Sequence, residues 1–156
     1  MKIKRYVWII SAVLILIIID QIVKFGFSKY LYDTDITLIN NILNLTYIEN
    51  GGVAFGFWSG GKILIILVNI TIITLIINFI IFRIEQLDIQ VLTSLSLILA
   101  GGIGNLIDRI FRGYVIDYIS VIPKMNLPIF NFGDMCVFVG AIMLGISILM
   151  YWIKKK

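Results

Sequence analysis

The sequence predicts an all-α integral membrane fold, four transmembrane helices with a small extracytoplasmic β-containing loop region, and three observations lead there. Of 156 residues, 60% are hydrophobic and only 14% charged, with a mean hydropathy of +1.04, which leaves too little polar surface for a water-soluble domain. Four apolar runs, at residues 6–27, 63–82, 89–107 and 135–153, each approach the ~20 residues that cross a bilayer. Between the first two lies a polar segment in which Leu43, Leu45 and Tyr47 alternate with polar neighbours, the pattern of short strands. These elements use up residues 1–156, so the chain reads as a single membrane-embedded domain.

The first run follows Lys2, Lys4 and Arg5 as a secretory leader would, but no small-residue cleavage site closes it. It continues through Asp20, Gln21 and Lys24 to Phe27 and is expected to stay as the first span. Asp20 and Lys24 stand four residues apart, where a helix brings them together and each lowers the cost of the other near lipid.

Residues 28–61 form the first sizeable loop, ending in NGGVAFGFWSGG from Asn50 to Gly61. Its glycines permit close backbone approach and its aromatics suit the headgroup level, so it reads as an interfacial anchor or as a lid over a substrate, with Asn50 placed to hold a peptide backbone.

Ile63 to Phe82 is a wholly uncharged second span, in which Asn69, Thr71, Thr74 and Asn78 are expected to hydrogen-bond between helices. A polar turn with Arg83, Glu85 and Asp88 leads to the third span, which closes on GGIGNLIDRIFRGYVID, Gly101 to Asp117. A loop carrying Pro123, Lys124 and Pro128 precedes FNFGD, Phe130 to Asp134, and the fourth span ends at Lys154, Lys155 and Lys156.

Four spans put both termini on one side, and the bases cluster at both termini and in the turn at Arg83, so that side is expected to be cytoplasmic. Asp20, Asn50, Asn105, Asp108, Asp117 and Asp134 then gather toward the outer face. The net charge of +4 and pI near 9.2 are explained by this orientation, and nucleic acid is not an expected partner.

Histidine is absent, which excludes His-based metal sites, Ser/His/Asp triads and Cys/His dyads. The lone Cys136 sits in an apolar run, reads as a buried inert thiol and allows no internal disulfide. Proton chemistry therefore falls first to carboxylates. Two of them in a partly dry site do not both ionise, which leaves an acid beside a base. Asp117, past the third span, and Asp134, at the start of the fourth, are the best-placed pair. Asp108 has Arg109 beside it and Arg112 one turn on, so it reads as an arginine's structural partner. Asn105 and Asn131 either orient the aspartates or satisfy local backbone groups. Arg112 and Lys124 are further placed to attract phospholipid headgroups.

Five blocks now stand in order: DQIVK (Asp20 to Lys24), NGGVAFG (Asn50 to Gly56), GNLIDR (Gly104 to Arg109), GYVIDYI (Gly113 to Ile119) and FNFGD (Phe130 to Asp134). In these blocks and their spacing the chain resembles lipoprotein signal peptidase, the type II signal peptidase of bacteria, over essentially its whole length. The resemblance implies a membrane aspartic endopeptidase that cleaves prolipoproteins before the diacylglyceryl-cysteine. It implies Asp117 and Asp134 as the catalytic dyad. Asp20, Asn50, Gly52, Asn105, Asp108, Arg109 and Asn131 match positions that support the site or hold substrate, and Lys24 joins them as the partner of Asp20. No metal or organic cofactor is implied. The partners are lipidated prolipoproteins and membrane lipids, and the expected state is a monomer in the bacterial cytoplasmic membrane, with the active site toward the outer face. Three departures stand out: Gly133 where the family usually has alanine, Tyr118 where phenylalanine is common, and Val53 where a small residue is frequent. Glycine next to Asp134 is expected to loosen the backbone that aims that carboxylate.

Membrane aspartates also serve transporters and proton pathways, which string them across the bilayer, whereas here they collect at one face. A non-catalytic assembly protein would tolerate loss of either aspartate.

Overall fold

The computed structural model describes residues 2–32, 34–52, 61–125 and 127–155. The aromatic part of the Asn50 to Gly61 loop, including Val53, Phe55, Phe57 and Trp58, lies outside the described residues, and with it the expected anchor or lid.

Among the described residues, four helices are long and apolar enough to cross a membrane: α1 (Lys2–Tyr30), α2 (Gly61–Arg83), α3 (Ile89–Phe111) and α4 (Phe132–Lys154). Between them lie β1 (Ile36–Ile39) and β2 (Leu43–Asn50) after α1, and β3 (Val115–Val121) with a 3-10 turn (Pro123–Met125) after α3. The strands form one antiparallel sheet in the order β1-β2-β3. Phe130 then bridges to Ile119 just before α4 begins, so the sheet hands the chain into the last helix.

Each helix runs past its apolar run. Among the added residues Arg5, Asp108, Arg109 and Asp134 find partners inside the protein, so charge does not end the helix at these points. Asp108 and Arg109, expected where the chain leaves the third span, lie in the last turns of α3, and Asp134 lies in the first turn of α4.

α3 is the hub and packs against α1, α2 and α4. Half of its apolar window is buried in protein, against 6% for α2, so α3 meets neighbours while α2 turns its Ile and Leu surface toward lipid. The core joins Ile9 and Val13 of α1, Ile80 of α2, Ile84 of the following turn, and Leu92, Leu95, Leu99 and Ala100 of α3. α4 comes closest at Gly101, where a Cβ would collide with the Gly133 carbonyl and lie 2.8 Å from Val137 Cγ2. Without hydrophobic drive between helices in lipid, such small-residue contacts supply the van der Waals packing.

The polar residues of α2 divide differently from expectation. Asn69 does cross, its Nδ2 donating to the Gly102 carbonyl at 3.3 Å. Thr71 and Asn78 instead donate back to the Leu67 and Thr74 carbonyls of their own helix, at 2.8 and 3.0 Å. On an exposed face of α2, the carbonyl four residues back is the acceptor within reach.

At the end of the bundle opposite the sheet, Arg5 Nη1 donates to the Ile84 and Leu87 carbonyls at 2.5 and 2.8 Å, tying the amino-terminal segment to the turn after α2. The start of α3, at Asp88, and the end of α4, at Lys154, line one cleft at this same end. The charged termini and that turn therefore share an end, and the aspartates gather at the other.

Candidate active site

Asp117 owes its position to β3. The strand lies beside β2 with Ile48 opposite Asp117 and Asn50 opposite Val115. Val115 to Tyr118 are all buried, so the apolar-polar alternation that marks a half-exposed strand is missing here, and only the β-branched and aromatic content of the segment hints at a strand. Asn50, at the end of β2, donates from Nδ2 to Asp117 Oδ2 at 2.7 Å. Its own carbonyl oxygen accepts the Gly52 N–H at 2.8 Å, and Gly52 has φ +72°, a left-handed conformation open to glycine at no steric cost.

Asp134 owes its position to the capping of α4. Asn131 is the N-cap: its Oδ1 accepts the Asp134 N–H at 2.9 Å, and Asp134 Oδ2 accepts the Asn131 N–H at 3.1 Å, a reciprocal capping box. The same Asn131, wholly buried, donates from Nδ2 to Asp117 Oδ1 at 2.6 Å. One asparagine thus touches both carboxylates. Asn105 of α3 completes the frame by donating from Nδ2 to Asp134 Oδ1 at 2.8 Å. The two roles left open for Asn131 are both filled, since it caps a helix and orients Asp117.

Behind the pair lies a buried ionic cluster. The Lys24 ammonium is within 2.8 Å of Asp20 Oδ2, 2.9 Å of Asp108 Oδ2 and 2.8 Å of Asn105 Oδ1. Arg112 pairs with Asp108, and Asp20 Oδ1 accepts the Gly133 N–H at 2.9 Å. Charges buried this deeply persist only when paired and hydrogen-bonded, as these are. Gly133 is consequently not loose: its N–H is held by Asp20, and a Cβ there would sit 3.1 Å from Asn131 Oδ1 and 3.2 Å from Asp20 Oδ1.

Burial raises the Asp117 carboxyl above its ordinary value of 3.8, and the neighbouring Asp134 charge adds to the effect. The bonds from Asn50 and Asn131 and the more distant Lys24 charge oppose it without cancelling it. A carboxyl disposed to keep a proton therefore stands beside a second carboxylate.

The two aspartates open in different directions. Asp117 faces a recess of about 610 Å³ lined by Asn50, Gly52, Leu127 and Ile129 on the sheet side. Asp134 faces a groove of about 670 Å³ between α2, α3 and α4, whose walls include Leu64, Val68, Val137 and Phe138. Arg109 lines that groove as well, with Nη1 3.4 Å from the Asn105 carbonyl and a buried Nε that has no hydrogen-bond partner among the described residues. An apolar groove between the spans and a more polar recess thus meet at the pair.

Asp20, Lys24, Asn50, Gly52, Asn105, Asp108, Arg109 and Asn131 all lie in this network or against it, Gly52 being placed so that a Cβ would come 3.9 Å from Arg109 Nε. Among the described residues no group of His, Cys, Asp and Glu is arranged to hold a metal ion. Sequence reasoning missed two contributors. Gln21 donates from Nε2 to Asp20 Oδ2, Asp108 Oδ1 and the Gly104 carbonyl, each at 3.2 Å, and accepts from Arg112; its place beside Asp20 in DQIVK was the available signal. Tyr118 stacks on Phe27 with ring centroids 4.0 Å apart, and its hydroxyl accepts the Phe132 N–H at 3.0 Å, one of the free donors at the start of α4. Arg112, considered for headgroup attraction, turns inward instead because Asp108 and Gln21 offer it acceptors.

Known proteins are similar to this chain over most of its length. The chain is 37% identical to the lipoprotein signal peptidase of Clostridium acetobutylicum, covering 89% of this chain and 92% of that one. It is 38% identical to that of Thermodesulfovibrio yellowstonii over the full length of both. A bacterial membrane enzyme solved by the in meso method at 2.3 Å superposes with a TM-score of 0.81 at 29% identity, covering 95% of this chain and 91% of that one. Residues 12–150 match the family described as signal peptidase (SPase) II, and with 139 of its 156 residues inside that match the chain belongs to this family.

Proposed function

We propose that the protein is a membrane aspartic endopeptidase that removes the signal peptide from lipid-modified prolipoproteins, cutting before the diacylglyceryl-cysteine, with Asp117 and Asp134 as the catalytic pair. The observation that carries this reading is Asn131, which binds one carboxylate through its side chain and the other through its backbone, where an apolar groove and a polar recess meet.

Chemistry follows from the asymmetry of the pair. Asp117 keeps the shared proton, and Asp134, with the charge, takes a proton from a water that attacks the scissile carbonyl carbon. Asp117 donates a hydrogen bond to the carbonyl oxygen as it becomes an oxyanion. Collapse of the tetrahedral intermediate breaks the C–N bond, and the proton gained by Asp134 passes to the leaving amine. Asn50, Asn105 and Asn131 aim the two carboxyl groups. Arg109, with spare N–H groups on the groove, is placed to hold a substrate carbonyl.

The groove between α2 and α4 opens sideways, so acyl chains can remain in lipid while the peptide reaches the pair. The bases at the termini and at Arg83 favour a cytoplasmic location for that end, which puts the pair toward the outer face. Action as a monomer is part of this reading: the spans and sheet of one chain supply both aspartates and the asparagines that hold them. The test is cleavage of a lipidated prolipoprotein by purified protein in detergent, with Asp117→Asn and Asp134→Asn expected to be inert. Full cleavage by either variant would remove it from the dyad, and an inert wild type would end the peptidase reading.

A further inference from the structure

Lys24 has no exposed surface, and its ammonium hydrogens are taken up by Asp20 at 2.8 Å, Asp108 at 2.9 Å and Asn105 at 2.8 Å. Its charge is fully accounted for without the catalytic pair. Asp20 and Asp108 carry two negative charges, Lys24 and Arg112 two positive ones, and the cluster is neutral. A neutral cluster exerts a weaker field than a bare charge, and the Lys24 charge reaches Asp117 only from a distance, so the closest link from the cluster to the dyad is a hydrogen bond.

That link runs through Asn105. A side-chain amide has a donor end and an acceptor end of nearly the same shape, and only its partners decide which way it points. An ammonium is solely a donor, so the end of Asn105 that meets Lys24 has to be Oδ1. The Asn131 Nδ2, 3.2 Å from the same oxygen, demands the same orientation. The Nδ2 end is then committed to Asp134 Oδ1 at 2.8 Å. In the flipped orientation Asn105 would set its carbonyl oxygen against the Asp134 carboxylate and its NH₂ against the ammonium, two repulsive contacts in a dry site. Asn131 is keyed in a parallel way by an obligate donor, the Asp134 backbone N–H on its Oδ1, which turns its Nδ2 to Asp117.

We propose that Lys24 is a positioning residue that fixes the orientation of the Asn105 amide, so that a hydrogen-bond donor always faces the Asp134 carboxylate. Asp20 and Asp108 hold the ammonium in place and neutralise it. Asp20 has a second attachment, the Gly133 N–H, which holds the first turn of α4 to the same cluster, so the donor and the carboxylate it serves share one anchor. This inference rests on the reading of Asp134 as a member of the catalytic pair.

The experiment is a mutant cycle on cleavage of a lipidated prolipoprotein in detergent. Lys24→Met alone would strand two buried carboxylates, so the variant is Asp20→Asn with Lys24→Met, which preserves neutrality and leaves an oxygen at position 20 to accept the Gly133 N–H. The expected result is a fall in kcat of about 10- to 100-fold, the rate equivalent of one hydrogen bond to a charged group, with KM nearly unchanged. Asn105→Ala lowers kcat similarly. Adding the Asp20→Asn and Lys24→Met pair to Asn105→Ala costs nothing more, because no amide is left to orient. Multiplicative losses, an unchanged kcat in the charge-balanced pair, or a loss confined to KM would each overturn the proposal. If the Met version fails to fold, Asp20→Asn with Lys24→Gln keeps an amide at the position, with two N–H donors in place of the ammonium's three, and accepts Asn105 in either orientation. It is expected to lose kcat in part, and only when Asn105 is present; full wild-type kcat in that variant would also overturn the proposal. An inert wild type, or an active Asp134→Asn, would instead count against the peptidase or dyad reading.

Discussion

Replacing Asn131 by serine separates two jobs that the wild-type side chain performs at once. Its Oδ1 caps α4 by accepting the Asp134 N–H at 2.9 Å, and its Nδ2 donates to Asp117 at 2.6 Å. Serine is an equally good N-cap, so Asn131→Ser retains the first bond and loses the second, together with the weaker 3.2 Å contact of the same Nδ2 with Asn105 Oδ1. Asn131 has no exposed surface, so water does not replace the lost donor. A hydrogen bond to a group sharing a negative charge contributes about 1.5–3 kcal/mol, which corresponds to roughly 10- to 150-fold in kcat if the bond is fully felt in the transition state. Asn131→Ala removes the cap as well and adds a stability loss of about 0.5–2 kcal/mol. The assay is cleavage of a lipidated prolipoprotein in detergent, beside thermal unfolding of the same preparations. Both variants should be slow to a similar degree, while alanine alone melts clearly below wild type. Cleavage by Asn131→Ser within about threefold of wild type, less than 1 kcal/mol of barrier, would refute the claim that this donor aims Asp117.

Three further outcomes are expected. Because the Asp117 carboxyl titrates higher in the folded protein than in the unfolded chain, its contribution to stability is complete below about pH 4 and fades as pH rises through the folded value. Wild-type stability minus that of Asp117→Asn should therefore fall between pH 4 and pH 8, and a difference that is flat or rises would contradict the burial argument. Gly101→Ala drives a methyl into the Gly133 carbonyl and should disrupt the contact of α3 with α4, lowering both the melting temperature and activity, whereas Gly102→Ala, whose Cβ finds Asn69 Oδ1 at 3.6 Å, should be tolerated. Gly133→Ala gains roughly 1 kcal/mol of helix propensity but crowds two hydrogen-bonded oxygens, so kcat is expected to fall with no gain in melting temperature; a more stable, fully active variant would show that this corner gives.

The spans were readable because lipid imposes a length and a composition that few other environments do, and the i, i+4 spacing of Asp20 with Lys24 and of Asp108 with Arg112 announced pairs that the structure closes. Strand β3 escaped because burial on both faces erases alternation, so Asp117 was placed only as lying beyond a span. The helix ends were underestimated for a related reason: hydropathy sees the cost of Asp108, Arg109 and Asp134 in lipid but not the partners that offset it. Gln21 and the Tyr118 hydroxyl act through contacts between elements far apart in sequence, and only Gln21 had a local cue, its place beside Asp20 in DQIVK. The fate of Asn78 and Thr71 turned on which face of α2 meets α3, and that is a property of the assembled bundle.

Asn105, Asp108, Arg109 and Arg112 occur at steps of three and four along α3, so all four project from one side of a single helix that also carries the core contacts. The site is therefore indexed by rotation. A single residue inserted between Leu95 and Gly101 would turn everything beyond it by about 100°, swinging Asp108 away from Lys24 and Asn105 away from Asp134 while leaving composition and hydropathy almost untouched. The same insertion near Leu127, in the loop ahead of Asn131, would be absorbed by a segment without helix or strand. Length is thus constrained in this protein where the backbone is most regular, and an added residue is best tolerated in the stretches between helices and strands.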